Sequence, residues 1–326
     1  QRLSTRAILA PASFREQFGH LKDNDGKSVA AKFSKDKWTT RIEDIRFDPS
    51  KNHKIIDREY LNLWEGFGTQ PVAGSISIYE EIVGTIFEEE PELLPEYEKF
   101  IAMLLQKPWI KQARYLLARG TMQGTGKSLL IELPACLING TPRGEPSITR
   151  ASHALIANAG AILEKNFNSS LIGKIYLVMN ETGPRHKELT HKIKALVTDP
   201  TIQIEEKFMA EVTMPNHLHL AISSNELKVL DISRTSRRDC VLPLIEAQSD
   251  LYYKVKTMFE KFDQEGTFDE YRSHEYRSAL MAYFLDYDLG DYTGAQPPLV
   301  GNSKLYAHND NMSDVEYYID NELSEV

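Results

Sequence analysis

A glycine-rich turn lies between an apolar run and the apolar beginning of a helix. The turn is Gly120-Thr-Met-Gln-Gly-Thr-Gly-Lys-Ser128, the run before it covers 113–118, and Leu129-Leu-Ile131 follows. A strand, such a turn and a helix that opens with Gly-Lys-Ser can hold a nucleoside triphosphate. Backbone N–H groups converge on the phosphates, and the helix N-terminus adds partial positive charge. In such a loop Lys127 would reach the β- and γ-phosphates, and the hydroxyl of Ser128 would bind Mg²⁺.

The turn departs from the pattern G-x-x-x-x-G-K-[ST] at one position. The pattern requires its first glycine where this chain has Thr121, and the glycine stands one residue earlier, at Gly120. The residues that contact phosphate are present, so we predict an ATP-binding loop. Its binding residues are Gly124, Thr125, Gly126, Lys127, Ser128 and Leu129. The alternative is a glycine-rich turn with a chance Gly-Lys-Ser sequence, and the flanking strand and helix signals argue against it.

The composition excludes several classes of protein. The 326 residues are 41% hydrophobic and 26% charged, as in an ordinary globular protein that is longer than one typical domain. The net charge of −9 argues against a protein that coats nucleic acid with its whole surface, although a few lysines can act locally. Cys136 and Cys240 lack metal-ligand spacing and indicate a reduced, intracellular protein. No signal peptide is visible, no apolar run reaches the roughly 18 residues of a membrane span, and Gln1 is typical of a fragment.

Strands that alternate with helices predict an α/β fold. The pattern favours a P-loop NTPase core with a central, mostly parallel sheet, flanked by N-terminal and C-terminal helical segments. We also predict a helix over residues 150–170, a solvated acidic face over 88–98 and a closing amphipathic segment over 314–323. The predicted division of the chain is a linker or accessory segment (1–56), a helical region (57–110), the ATPase core (111–245) and a C-terminal helical region (246–326).

Polar side chains close two apolar strand patterns downstream of the loop. Asn180-Glu181 ends a strand that begins near Lys174, and Asn225 ends the next one. A carboxylate at Glu181 can orient the water that attacks the γ-phosphate, while Asn180 helps to hold the metal through water. The side-chain amide of Asn225 can bind the γ-phosphate or the attacking water. The alternatives are an ordinary loop acid at Glu181 and a turn residue at Asn225.

Two arginines, Arg237 and Arg238, precede one more predicted strand. An arginine inserted into the site of a neighbouring subunit would neutralise the charge that develops in the transition state of hydrolysis. We predict this role for at least one of the two; a pair of surface salt-bridge arginines is the alternative. The role requires an oligomer, and a head-to-tail contact closes into a ring when its rotation allows.

Lys207 and Phe208 lie at the predicted tip of a hairpin between the two strand ends. In a ring such hairpins can point into the central channel. A lysine and an aromatic ring there suit single-stranded nucleic acid, through phosphate attraction and base stacking. The alternative is a solvated lysine beside a core phenylalanine.

Taken in order, these motifs resemble the superfamily 3 helicases, in particular the ATPase part of phage and plasmid primase–helicases and primase–polymerases. The resemblance covers roughly residues 55–300. The stretches that carry it are Asn62-Leu-Trp-Glu-Gly-Phe67, Leu105-Gln-Lys-Pro108, Gln123-Gly-Thr-Gly-Lys-Ser128, Phe167-Asn-Ser-Ser-Leu171, Val178-Met-Asn-Glu181, Ser223-Ser-Asn225, Ser236-Arg-Arg238 and the late helical segment 279–289.

The resemblance implies an AAA+-like fold, a hexameric ring and ATP-driven movement on single-stranded DNA, with a fused or associated primase–polymerase. The roles it implies are Walker A for Lys127 and Ser128, Walker B for Asn180 and Glu181, sensor 1 for Asn225, the arginine finger for Arg237 or Arg238, and the DNA-contacting tip for Lys207 and Phe208.

These features lead to a main hypothesis and two alternatives. The main one is an ATP-dependent helicase motor, cytoplasmic in a bacterial host during phage or plasmid replication, with Ser128, Asn180 and Glu181 around Mg²⁺. The first alternative is a ring-forming scaffold that encircles DNA and holds a polymerase, with little or no ATPase activity. The uncharged Asn180 and Thr121 favour it. A monomeric P-loop kinase is the second alternative, and the late arginine pair argues against it.

Overall fold

The chain is described by a computed structural model. It describes residues 20–23, 25–29, 44–52, 55–56, 60–122, 124–158, 162, 168–180, 186–205, 211–227, 230, 232–243, 250–264 and 273–312. The chain divides into two compact units, one of residues 1–65 with 148–151 and one of residues 66–147 with 152–326. The functional division set out above remains a prediction.

The smaller unit contains a three-stranded sheet of short strands. They are β1 (Asp44–Arg46), β2 (Ile55–Ile56) and β3 (Tyr60–Asn62), with β3 parallel to β1 and antiparallel to β2. Asn62 is fully buried. Its side-chain oxygen accepts from the N–H of Asp48 and its amide donates to the carbonyl of Asp48, both at 2.9 Å. Satisfying a buried amide in this way stabilises the turn that follows β1.

The larger unit is built on a five-stranded sheet in which every pairing is parallel. The strands are β4 (Tyr115–Arg119), β5 (Ala154–Asn158), β6 (Tyr176–Asn180), β9 (His219–Ser224) and β10 (Asp239–Val241), in the spatial order β10-β4-β9-β6-β5. The inner strands are mostly apolar and almost entirely buried, as expected for a sheet covered on both faces. A separate antiparallel hairpin consists of β7 (Thr201–Ile204) and β8 (Val212–Pro215).

The described part of this unit contains seven α-helices with defined bounds and a 3₁₀ helix at Ser169–Leu171. The α-helices are α1 (Ser77–Ile86), α2 (Leu93–Gln106), α3 (Lys127–Asn139), α4 (His186–Thr198), α5 (Asp250–Gln264), α6 (His274–Asp286) and α7 (Asn302–Asn311). α3 packs on the sheet, α2 packs on α6, and α7 contacts β10. The predicted α/β fold, with its mostly parallel sheet and flanking helices, is confirmed.

A proline inside α3 connects this helix to α2. Pro134 has no N–H, so it cannot donate to the carbonyl of Leu130 four residues earlier. The hydroxyl of Tyr97 on α2 donates to that carbonyl instead, at 2.7 Å. Tyr97 is fully buried, and burial raises its pKa, so the hydroxyl remains a donor. The helix that begins at Lys127 is thereby hydrogen-bonded to α2.

Two predictions about local structure are wrong. Residues 154–158 form strand β5 instead of part of a helix over 150–170. The acidic stretch 88–98 is not a uniformly solvated face, because Glu90 and Glu98 are buried. Glu98 accepts hydrogen bonds from the hydroxyls of Tyr79 and Tyr283, at 3.0 and 2.9 Å. The predicted closing segment 314–323 lies outside the described residues.

Candidate nucleotide-binding site

The carboxyl ends of the parallel strands bring most of the predicted site residues to one edge of the sheet. β4 and β9 end together, with Arg119 opposite Ser224. The N–H of Gly120, the first residue of the loop, donates to the carbonyl of Ser224 at 3.1 Å, and Asn225 follows directly. β6 lies on the far side of β9 and ends at Asn180. Since adjacent strands are about 4.8 Å apart, Asn225 is about one strand spacing and Asn180 about two from the strand that enters the loop.

The loop has a backbone that only glycine adopts readily at three positions. Gly120, Gly124 and Gly126 have φ angles of 151°, 76° and 85°. The glycine that stands one place early in the motif therefore lies where a side chain would be strained. Gly126 is the N-cap of α3, so the loop ends on a helix N-terminus whose first N–H groups have no partner within the helix. Such an N-terminus is a suitable anion site.

Lys127 lies inside the loop instead of extending into solvent. Its side-chain ammonium donates to the carbonyls of Gly120 and Met122, at 2.6 and 2.5 Å. The residue is 6% exposed, and burial lowers its pKa. Thr125, one of the predicted binding residues, is also buried. Lys127, the cation that the motif predicts to bind phosphate, is thus held at the centre of the turn, with its charge partly desolvated.

Ser128 and Asn180 provide oxygen atoms that fit a magnesium ion. Ser128 is exposed in the first turn of α3. The side-chain oxygen of Asn180 is buried and accepts no hydrogen bond within the described part of the chain. Oxygen ligands beside phosphate groups are the kind that Mg²⁺ binds, since it uses few protein ligands and keeps several waters. No cluster of three or more His, Cys, Asp or Glu side chains with metal-binding geometry occurs among the described residues.

Arg119 is a residue of this edge that the motifs did not identify. It is the last residue of β4, is 7% exposed, and its guanidinium donates to the carbonyl of Leu227 at 3.1 Å and to the carboxylate of Asp310 on α7. It therefore connects the beginning of the loop to the turn that carries Asn225. Asn158 also ends a strand at this edge, opposite Asn180. The apolar run that ends at Asn158 could have indicated this strand end, but the run was assigned to the predicted helix over 150–170.

Three predicted residues lie outside the described part of the chain: Glu181, Lys207 and Phe208. Residues next to them in the chain are described. Glu181 follows Asn180 directly, and Lys207 and Phe208 belong to the connection between β7 and β8. The side chain of Asn168 fastens the end of β7, because its amide donates to Gln203 O and its oxygen accepts from Glu205 N, both at 2.8 Å.

Arg237 and Arg238 lie at the opposite edge of the sheet from the loop, where the strands begin. They precede β10, whose first residue, Asp239, pairs with Tyr115 at the beginning of β4. The loop follows Arg119 at the far end of β4, four residues and about 13 Å along the strand. Arg237 is exposed, whereas Arg238 is half-buried and its Nε is enclosed. The pair is therefore not part of the loop's own surroundings within one chain.

A buried lysine closes the base of the β7–β8 hairpin. The amine of Lys111 donates to Leu196 O in the last turn of α4 and to Leu218 O before β9, at 2.7 and 2.8 Å. Burial lowers its pKa to about 7, and the charge of Asp199 opposes that shift only in part. His219 lies close by, and burial together with the charge of Lys111 lowers its pKa to about 4. Two basic groups are thus buried at the edge opposite the loop.

The stability of the protein is expected to rise with pH because of Lys111. Between its folded pKa of about 7 and the unfolded value of 10.5, the unfolded chain holds a proton that the folded chain lacks. Raising the pH through this window therefore favours the folded state. Below pH 7 both states hold the proton, and the folded state bears the full cost of burying the charged amine. The difference in unfolding free energy between wild type and Lys111→Met should rise by about 2 kcal/mol from pH 7.5 to 9.5. Urea titrations measure it, with the exposed Lys107→Met as control; a pH-independent difference would contradict the assignment.

The chain is similar to a protein family and to proteins of known sequence and structure. A family model described as a family of unknown function (DUF5906) matches residues 118–238, from the end of β4 to the arginine pair. The DNA primase-polymerase of Nitratiruptor phage NrS-1 is 24% identical over 207 residues, 59% of this chain and 26% of the phage protein. The apo structure of the NrS-1 C-terminal region superposes with a TM-score of 0.66 at 19% identity, covering 100% of this chain and 75% of the other. A second apo structure, the A form, gives 0.61 at 20% identity, with 86% and 67% covered.

This chain is similar in sequence to a phage DNA primase-polymerase. The resemblance to phage primase–helicases and primase–polymerases that the motifs indicated is thus confirmed. The likeness to the solved structures shows that the chain shares the fold of the NrS-1 C-terminal region. The chain spans about a quarter of the length of the phage primase-polymerase that it matches. None of the helices in the described ranges combines the length and apolar character that crossing a bilayer demands.

Proposed function

We propose that this chain is the ATP-driven motor part of a phage replication protein and moves along single-stranded DNA inside the infected bacterium. The observation that carries the proposal is the division of the site between two edges of one sheet. The loop, Asn225 and Asn180 meet at one edge, and Arg237 is exposed at the other. An ATP site completed by a neighbouring subunit accounts for both halves.

In this proposal the chain's own residues bind and orient the triphosphate. Backbone N–H groups of the loop and of the first turn of α3 bind the phosphates, and Lys127 turns from the loop carbonyls toward them. The amide of Asn225 binds the γ-phosphate or the attacking water, and Glu181 orients that water. Ser128, with Asn180 and Glu181, would hold Mg²⁺. When bound, Mg²⁺ neutralises charge on the phosphate oxygens.

Arg237 is the better candidate for the arginine that enters the neighbouring site. Its side chain is exposed, whereas Arg238 is half-buried with an enclosed Nε. An exposed guanidinium can reach a second subunit without losing existing contacts, and its charge stabilises the transition state. The working form is then a head-to-tail oligomer, and a hexameric ring is the form that the helicase resemblance implies.

The β7–β8 hairpin is the proposed DNA-contacting element. Lys207 would attract the backbone phosphates and Phe208 would stack on a base. Lys111 bonds to the segments that flank the base of the hairpin, and Asn168 bonds to the end of β7 that leads to the tip. A firmly held base allows movement of the ATPase core to reach the tip. A primase–polymerase part, fused or associated, is the proposed partner.

A scaffold that encircles DNA and hydrolyses ATP weakly or not at all is the second candidate. Asn180 favours it, because the residue that ends β6 beside the metal site carries no charge. A site with fewer anionic ligands binds Mg²⁺ more weakly. This candidate shares the fold and the ring and differs only in turnover.

Steady-state ATP hydrolysis with and without single-stranded DNA, measured at several protein concentrations, tests the proposal. We expect DNA to stimulate hydrolysis and the specific activity to rise with protein concentration, because sites form only between subunits. Light scattering on the same samples gives the assembly state. A hexamer without hydrolysis would establish the scaffold instead, and turnover independent of concentration in a monomer would overturn the shared site.

A further inference from the structure

Helix α7 is fastened to the larger unit at both ends and in the middle. At its N-terminal end, the carboxylate of Glu90 accepts hydrogen bonds from the N–H and the hydroxyl of Ser303. At its C-terminal end, Asp310 pairs with Arg119. Between them, Lys304 and His308 bond to carbonyls of the segment before β10. The helix therefore lies along the segment that connects Asn225 to the arginine pair.

Of the side chains of α7 described above, Lys304 makes the hydrogen bond nearest to Arg237. Its ammonium donates to the carbonyl of Ser236 at 2.5 Å, and the residue is 1% exposed. The charge of Asp239 acts favourably on it and offsets part of the cost of burial, which lowers its pKa. Burying an ammonium costs free energy that a methionine of similar length would not. What a lysine adds here is its hydrogen bond to the carbonyl of Ser236, in the peptide bond between Ser236 and Arg237.

The other side of Arg237 is held as well. The carbonyl of Arg238 accepts from the N–H of Tyr115 at 2.9 Å, and the hydroxyl of Tyr115 donates to Asp239 Oδ1 at 2.6 Å. Burial and the charge of Asp239 raise the pKa of Tyr115, so the hydroxyl keeps its proton. The backbone is thus held by hydrogen bonds at the residues immediately before and after Arg237, whereas the side chain of Arg237 is exposed.

We propose that Lys304 is a positioning residue that holds the backbone of Arg237 in the orientation required to enter the neighbouring subunit's ATP site. This rests on the proposed function and extends it to a helix far from the loop in sequence. Displacing a charged group by about 1 Å from its productive place can cost about a hundredfold in rate. Because Lys304 bonds to the carbonyl of the residue before Arg237, the proposal predicts that its effect on hydrolysis passes through Arg237.

A two-chain mixing experiment separates this role from a general effect on folding. A Lys127→Ala chain can supply only Arg237, and an Arg237→Ala chain can supply only the nucleotide loop. Their mixture hydrolyses ATP only where the first chain completes a site of the second. Lys304→Met is placed in one chain or the other, with the exposed Lys254→Met as control. ATP turnover, KM for ATP and melting temperature are measured for each mixture.

Lys304→Met in the arginine-supplying chain should lower kcat 10- to 100-fold with KM within about twofold, and in the loop-supplying chain it should have little effect. Equal losses in both chains would overturn the positioning role and indicate structural damage. If Lys304→Met fails to fold, Tyr115→Phe, which removes the bond to Asp239, should show the same one-sided loss. A wild-type chain without ATPase activity would overturn the proposed function together with this inference; an active wild type with no one-sided loss would overturn the inference alone.

Discussion

Replacing Lys127 by alanine is expected to reduce ATP turnover by about a hundredfold or more, because the loop then lacks its phosphate-binding charge. The fold should persist. Among the described residues, the lysine donates to the loop carbonyls of Gly120 and Met122, and losing such bonds costs about 1 kcal/mol each. Turnover is measured in the presence of single-stranded DNA, and circular dichroism follows the fold.

The control for this variant is Lys107→Ala, which removes a lysine from an exposed position at the end of α2. It should keep turnover within about twofold of wild type, since surface substitutions away from a site are usually neutral. Full turnover in the folded Lys127→Ala protein would remove the loop from the mechanism.

Replacing Arg237 by alanine is expected to lower kcat by about a thousandfold while ATP binding is retained, because an arginine finger acts mainly in the transition state. Arg238→Ala should cost much less, since its side chain is half-buried within its own chain. Arg234→Ala removes the same charge from an exposed position three residues earlier and serves as the control. Binding of a fluorescent ATP analogue and turnover are measured separately.

Mixing decides whether Arg237 acts on a neighbouring subunit. Equal amounts of inactive Lys127→Ala and inactive Arg237→Ala chains should together recover about a quarter of wild-type turnover, because a quarter of the interfaces in a random mixture join the two intact partners. An arginine that acted within its own chain would give a mixture as inactive as its components.

The elements whose signals are local were predictable from the sequence. β4, β6 and β9 are apolar runs that end in polar residues, and the loop between β4 and α3 contains its own glycines. Because all these strands are parallel, their ends had to meet at one edge. The fold class and the grouping of Asn180 and Asn225 with the loop follow from that.

The features that sequence reasoning missed depend on distant partners. β5 contains alanine, leucine and a single isoleucine, which favour a helix when read alone, and it is a strand because it pairs with β6. Glu98 is buried because two tyrosines from other helices satisfy its carboxylate. Neither pairing is visible in the spacing of nearby residues.

The importance of α7 was hidden for the same reason. Lys304 and Asp310 bond to Ser236 and Arg119, which lie 68 and 191 residues away in the chain. No local motif marks a lysine that binds a main-chain carbonyl. The choice of Arg237 over Arg238 likewise required the exposure of each side chain, which two adjacent arginines in a sequence do not reveal.

The placement of loop and arginine at opposite edges of one sheet also determines how many sites an assembly can complete. In an open row of subunits, the last loop has no arginine opposite it and the first arginine has no loop to enter, so there is always one site fewer than there are chains. Closing the row removes both ends at once. For such a sheet, the step from an open row to a closed ring makes every subunit an equal participant. A chain that is defective at one end of its sheet then silences one site of the ring and still helps to complete another.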